Sequence, residues 1–191
     1  MSSALKLTSI SEADYLAAEL TSKDKHEYAS GQVFAMSGAS IRHNEIALNI
    51  ATALRIHASK QCRVSMSEVK FKAQQLYYYP DVMVSCEPKS DAYCKSKPCL
   101  IVEVLSESTE SMDRGEKLHN YQKVPELEAY LLVSQKERRV DVYRRSGAVW
   151  LFESITDNGE IKLSCHDMTL TLDAIYSDVE VDTELLRNAG S

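Results

Sequence analysis

The chain has 191 residues, 44% of them hydrophobic and 26% charged, which is enough for one domain, 1–191, around a shielded core. Its 22 basic and 28 acidic residues give a formal charge of −6, which argues against a strong non-specific grip on nucleic acid, since phosphate contacts come from Lys and Arg. It contains no run of about 18 apolar residues, and its first residues, "MSSALKLTSISEADYL", lack the apolar stretch of a secretory signal. The expectation is a cytoplasmic protein that does not enter a membrane.

From the N-terminus, Ser9 with Glu12 reads as a capping box opening a short helix to about Glu19. "HEYASGQVFAM" reads as two short strands around Ser30-Gly31. From Ile41 to about Lys60 the spacing of His43, Ile46, Ala47, Ile50 and Leu54 predicts a helix with one inward face. Three strand-like runs follow: "CRVSMSEVKFKA", "YYYPDVMVSC" and "CLIVEVL". A helix is expected from about Ser111 to Lys123, stopped by Pro125. "AYLLVSQKERRVDVYRR" reads as strand, turn and strand, and "VWLFESITDNGEIKLSC" as a hairpin tipped by Asn158-Gly159. "MTLTL" and a helical turn near Ala174 close the pattern. Long apolar strands mixed with helices predict an α/β sandwich around a mixed sheet.

Five cysteines, Cys62, Cys86, Cys94, Cys99 and Cys165, include no C-x-x-C pair. Zinc ligands usually come in closer, paired spacing, so the expectation is reduced thiols, mostly in the core.

The chemistry of the chain is carried by charged residues inside apolar runs. Glu103 stands in the middle of "LIVEVL". Side chains alternate along a strand, so Glu103 shares a face with Ile101 and Leu105, while Val102 and Val104 fill the other. A carboxylate in such a place is paired, protonated, turned to water on an edge strand, or bound to metal. Asp81 follows Pro80 at the mouth of a second apolar run, where a cap or turn role is the alternative. Two such strands joined by a short loop can set the carboxylates side by side, and close carboxylates repel unless a cation sits between them. In the next helix Asp113, Lys117, Tyr121 and Val124 form one stripe facing the protein, which a surface Asp113–Lys117 pair would not do.

At this point the sequence resembles a family. "YYPDVMV", "LIVEVLSEST" and "DRGEKLHNY" are similar to the motifs of a large bacterial family of restriction-endonuclease-like proteins, long catalogued as a domain of unknown function, within the PD-(D/E)XK nuclease superfamily. The resemblance runs from "HEYASGQVFAMSGASIRHNEI" to "EAYLLVSQKERRVDVYRR", and its ordered set is Pro80-Asp81, Glu103-Val104, Ser106, Thr109, Asp113, Lys117 and Tyr121. It implies a restriction-endonuclease-like α/β core, a mixed β-sheet flanked by helices, with extra β-hairpins at both ends. It implies a divalent metal, Mg²⁺ or Mn²⁺, held by Asp81 and Glu103, with the Val104 carbonyl as a further ligand. The superfamily lysine falls at position 105, which here is Leu105; the resemblance implies that Lys117 supplies the ammonium from the helix.

Other residues rank lower on sequence alone. Glu27 is an accessory ligand or a solvated strand residue, and His43 a core histidine or a base. Ser106 and Thr109 shape the strand-to-helix junction. "KERRVDVYRR" either grips a nucleic-acid backbone or is a solvated hairpin. The resulting expectation is a Mg-dependent endodeoxyribonuclease, a homodimer because two strands present two scissile phosphates. The alternatives are a catalytically silent nuclease fold serving as a nucleic-acid-binding or dimeric assembly module, and a nuclease for structured RNA or repair intermediates.

Overall fold

The computed structural model describes residues 9–36, 38–87, 91, 93–166 and 168–181. The elements, in chain order, are α1 (Glu12–Glu19), β1 (His26–Ala29), β2 (Gln32–Ala35), α2 (Ile41–His57), β3 (Arg63–Met66), β4 (Lys70–Ala73), β5 (Leu76–Tyr78), β6 (Val82–Ser85), β7 (Cys94–Lys95), β8 (Pro98–Val104), α3 (Glu110–Met112), a π-helical turn (Asp113–Lys117), α4 (Leu118–Tyr121), β9 (Ala129–Val133), β10 (Arg139–Ser146), β11 (Val149–Thr156), β12 (Glu160–Leu163), a 3-10 turn (Ser164–His166), β13 (Met168–Thr171) and α5 (Leu172–Ile175).

Three sheets result. A six-stranded sheet runs β11-β10-β9-β8-β6-β3, a five-stranded one β2-β1-β5-β4-β7, and β12 pairs with β13. In the large sheet β8 and β9 are parallel and the other pairs antiparallel. The parallel pair requires a crossover, which the helical segment 110–121 supplies. The architecture is the expected α/β one, with a mixed sheet, flanking helices and hairpins toward both ends.

The large sheet is apolar on both faces, each for a separate partner. Leu100, Val102 and Val104 of β8 pack with Ile46, Ile50 and Leu54 of α2 and with Ile161, Leu170 and Leu172 near the C-terminus. Ile101 and the adjoining Leu105 pack on the other face with Phe71 and Tyr78 of the five-stranded sheet and with Tyr121 of the crossover helix. Burying two faces explains why β8 reads, apart from Glu103, as a continuous apolar run rather than an alternating one. Glu103 projects into the second of these layers.

Several local expectations are corrected. The α1 cap is Ser11, whose side chain accepts from the Asp14 backbone N–H. "CRVSMSEVKFKA" does not form one strand: β3 and β4 belong to different sheets. "YYYPDVMVSC" divides likewise, with Tyr79, Pro80 and Asp81 carrying the chain from β5 in one sheet to β6 in the other. Proline cannot donate to a ladder, so the crossing falls where it stands. The "VWLFESITDNGEIKLSC" segment forms no hairpin, because β11 pairs with β10 and β12 with β13. Cys62 with Cys86 and Cys99 with Cys165 are paired as disulfides rather than left as separate thiols, and Cys94 is free. Among the described residues, no helix is long and apolar enough to cross a membrane.

Candidate active site

Asp81 reaches the site because the chain changes sheets at Pro80. β6 then pairs antiparallel with β8, with Val82 opposite Val102, so Asp81 lies beside Glu103. Backbone N–H groups fix both carboxylates. Asp81 Oδ2 accepts from the Val104 N–H at 2.8 Å, and Glu103 Oε2 accepts from the Asp81 N–H at 3.3 Å. The sequence placed these carboxylates in neighbouring strands, and the structure brings them together.

The crossover helix delivers the ammonium. Asp113 and Lys117 bound the π-helical turn, and both side chains are buried, at 2% and 4% exposure. Lys117 Nζ lies 3.2 Å from Glu103 Oε1, 3.0 Å from Glu27 Oε1 and 3.3 Å from Asp113 Oδ1. The Tyr121 hydroxyl donates to Glu103 Oε1 at 3.0 Å, and the Tyr130 hydroxyl to the Asp113 carbonyl at 3.0 Å. π-Helical turns alter the angular spacing of a helix and recur at functional sites.

Two residues ranked low on sequence stand in this group. Glu27 is buried on β1, and its Oε1 also accepts from the Tyr79 N–H at 3.0 Å. Its neighbours Tyr28 and Ala29 are buried too, so β1 lacks the alternation that would mark Glu27 as inward-facing. His43, near the N-terminus of α2, brings Nε2 to 3.1 Å from Asp81 Oδ2, with the Val104 backbone as a further partner. Its inward position at helical spacing was the available signal. Ser106 Oγ accepts from the Thr109 N–H at 3.2 Å, which supports their junction-shaping reading. Leu105, where the superfamily lysine falls, is buried among apolar side chains.

The arginines of "KERRVDVYRR" are engaged within the chain. Arg138 meets Asp173, Arg139 lies near Glu137, and Arg144 pairs with Glu153. Arg145 donates to three backbone carbonyls and covers Trp150. These contacts tie the hairpin to its surroundings.

Four carboxylates, Glu27, Asp81, Glu103 and Asp113, thus surround one ammonium and one imidazole. Burial pushes Glu103 well above the usual carboxylate range, although Lys117 pulls it down. Burial likewise raises Asp113, again against Lys117. Burial alone would lower Lys117, but Glu103, Glu27 and Asp113 outweigh it and hold the ammonium well above its ordinary value. Burial would lower His43 as well, but the contact with Asp81 leaves it raised. Asp113 Oδ1, although close to Nζ, has no directed hydrogen bond.

An excess of buried carboxylates over cations, with an unsatisfied oxygen among them, fits a divalent cation as the missing charge. The group opens into a cleft of about 1060 Å³, whose walls include Glu27, His43, Asp81, Glu103, Asp113 and Lys117. Carboxylates lining a cleft beside a held ammonium can bind a hard cation and a phosphate together.

The family model described as "Putative restriction endonuclease", Uma2, matches residues 12–174. Two relatives from Synechocystis sp. are named as uncharacterized proteins. One, slr1290, is 35% identical over 173 residues, covering 87% of this chain and 91% of that protein. The other, sll1609, is 33% identical over 164 residues, covering 81% and 93%. A crystal structure from Anabaena variabilis, titled as a "putative nuclease belonging to DUF820", superposes with a TM-score of 0.72 over 90% of this chain and 99% of that one. At 15% identity that likeness speaks for the fold.

Proposed function

The chain belongs to the Uma2 family, described as "Putative restriction endonuclease", and from this membership and its buried carboxylate group we propose a divalent-metal-dependent endonuclease. Its reaction is hydrolysis of phosphodiester bonds, with DNA as the substrate and Mg²⁺ or Mn²⁺ as the ion. The observation that carries the reading is the arrangement of Asp81, Glu103 and Lys117: the Asp81 carboxylate accepts from the Val104 N–H, the Glu103 carboxylate accepts from the Asp81 N–H, and an ammonium lies 3.2 Å from the second.

Asp81 and Glu103, with the Val104 carbonyl, are the residues that would hold the ion. When bound, a divalent cation neutralises phosphodiester charge and lowers the pKa of a water. The chain's own groups do the rest. Lys117 keeps its proton and presents a fixed positive charge beside Glu103, where it steadies the negative charge that grows on the phosphoryl oxygens. Tyr121 and the Asp81 N–H orient the Glu103 carboxylate from two sides. His43 orients Asp81 in the same way. Asp113 and Glu27 hold the lysine ammonium at the site rather than in solvent.

A silent binding module has no use for this group. Buried ions cost desolvation, and apolar replacements of equal volume are often neutral or stabilising. The reading includes a homodimer, since two opposed strands present two phosphates, and a cytoplasmic location.

The test is nicking of supercoiled plasmid by wild type and Glu103→Gln, with Mg²⁺, with Mn²⁺ and with a chelator. The substitution keeps shape and removes charge. We expect metal-dependent nicking that the variant loses while its circular dichroism stays native, together with weaker Mn²⁺ binding by calorimetry. Equal metal affinity in the two proteins would count against the ligand assignment. Wild-type cleavage that survives the chelator would count against metal dependence.

A further inference from the structure

A second group of ligating side chains gathers at the other end of the same strands. Asp81 precedes β6 and Cys86 follows it, so about five residues of extended chain, about 16 Å, separate the two. In the β3–β6 pair Arg63 lies opposite Ser85, which puts Cys62 beside Cys86, with Cα atoms 4.0 Å apart. In the β6–β8 pair Ser85 lies opposite Pro98, which brings up Cys99. The 3-10 turn between β12 and β13 adds Cys165. Four cysteines from four separate stretches of sequence therefore converge on one sheet end.

They form two disulfides in the structure, Cys62–Cys86 and Cys99–Cys165, but the two pairs also touch each other. Cys86 Sγ is 3.8 Å from Cys99 Sγ. The sulfurs of Cys86, Cys99 and Cys165 all lie within 4.8 Å of one another; Cys62 is outside that set and is joined to it through its bond to Cys86, so it would have to turn toward the other three once that bond is reduced. Two independent crosslinks gain nothing from lying in contact. Four thiolates around one ion must do so: Zn–S bonds of about 2.3 Å at tetrahedral angles set sulfurs about 3.8 Å apart. An iron–sulfur cluster, by contrast, spreads its cysteines over several irons. Ser59 Oγ donates to Cys62 Sγ at 3.4 Å, the kind of outer hydrogen bond that supports a ligating thiolate. Cys62 and Cys99 are buried, whereas Cys86 is exposed and offers a way in.

We propose that in the reduced chain Cys62, Cys86, Cys99 and Cys165 form a tetrahedral thiolate site for zinc, which staples the C-terminal β12–β13 unit to the ends of β6 and β8. Each disulfide first takes two electrons and two protons from a dithiol reductant. The four thiols then give up their four protons as the ion binds, so affinity rises with pH. The site is structural, with all four positions filled by protein, unlike the open carboxylate site.

The full chain, reduced with a dithiol and stripped with a chelator, is titrated with Co²⁺ and then Zn²⁺ while the visible spectrum is followed. The expected result is one equivalent of Co²⁺ with the intense bands of tetrahedral thiolate ligation, erased by one equivalent of Zn²⁺. Cys99→Ser and, at the exposed position, Cys86→Ser should each lose those bands. Cys94→Ser should keep them, as should Glu103→Gln, which separates this site from the carboxylate one. Reduced wild type without thiolate–cobalt bands would overturn the proposal, as would unchanged bands in both Cys99→Ser and Cys86→Ser. Iron bound in place of zinc would overturn it too.

Discussion

Replacing Lys117 with Met keeps most of the side-chain volume and removes the ammonium that Glu27, Glu103 and Asp113 share at 3.0, 3.2 and 3.3 Å. At an effective dielectric of about 20, a unit pair at about 3 Å attracts by about 5 kcal/mol. Desolvation of the buried ions offsets most of this, and unpairing a buried ion group costs about 3–5 kcal/mol net. For a chain of this size each kcal/mol moves the melting temperature by about 2–4 °C, so Lys117→Met should melt about 6–20 °C lower near neutral pH.

The pH dependence has a definite sign. Glu103 and Asp113 are raised in the folded chain, chiefly by burial. The folded state therefore binds their protons more tightly than the unfolded state, and ionising them costs stability as pH rises above the ordinary carboxylate range. Lys117, itself raised by those carboxylates, keeps its charge up to and beyond the ordinary lysine range and offsets that cost. Without it the carboxylates hold protons to higher pH. The deficit of Lys117→Met should then be smallest at about pH 5 and widen toward about pH 8. Thermal melts in a chelator across that range measure it. A deficit that is flat with pH, or that widens on acidification, would refute this electrostatic account.

The remaining expectations concern the same site and its assembly. Lys117→Ala should slow plasmid nicking by about 10²–10⁴-fold with metal binding retained. Leu105→Lys added to it should recover part of the rate, because Leu105 shares the Glu103 face of β8; an unslowed Lys117→Ala would remove the lysine from the mechanism. His43→Ala, which leaves Asp81 without the imidazole at 3.1 Å, should weaken Mn²⁺ binding by about 10–100-fold in calorimetry, and an unchanged affinity would reduce His43 to a packing role. Sedimentation equilibrium at micromolar concentration should find a dimer; a strict monomer at all loadings would end that part of the proposal.

The sequence by itself determined the elements whose signals are local. Helical spacing marked α2, and the apolar run around Glu103 marked β8 as buried on both faces. Alternation assigned Glu103 to the face of Ile101 and Leu105, as observed. Pro80-Asp81 and the stripe from Asp113 to Val124 were legible for the same reason: each depends on covalent geometry within a few residues. Only the tertiary structure decided which strands pair. The two continuous-looking runs divide between sheets, and β11 and β12 separate, because register answers to burial across the whole layer rather than to a turn signal such as Asn158-Gly159. Glu27 joins Lys117, 90 positions along the chain, only once the five-stranded sheet closes over the crossover helix. Cys99 and Cys165 meet at one sheet end although their spacing resembles no metal motif. Such contacts have no periodicity in the sequence, since they arise from the packing of distant segments, and side-chain chemistry is assembled at that level.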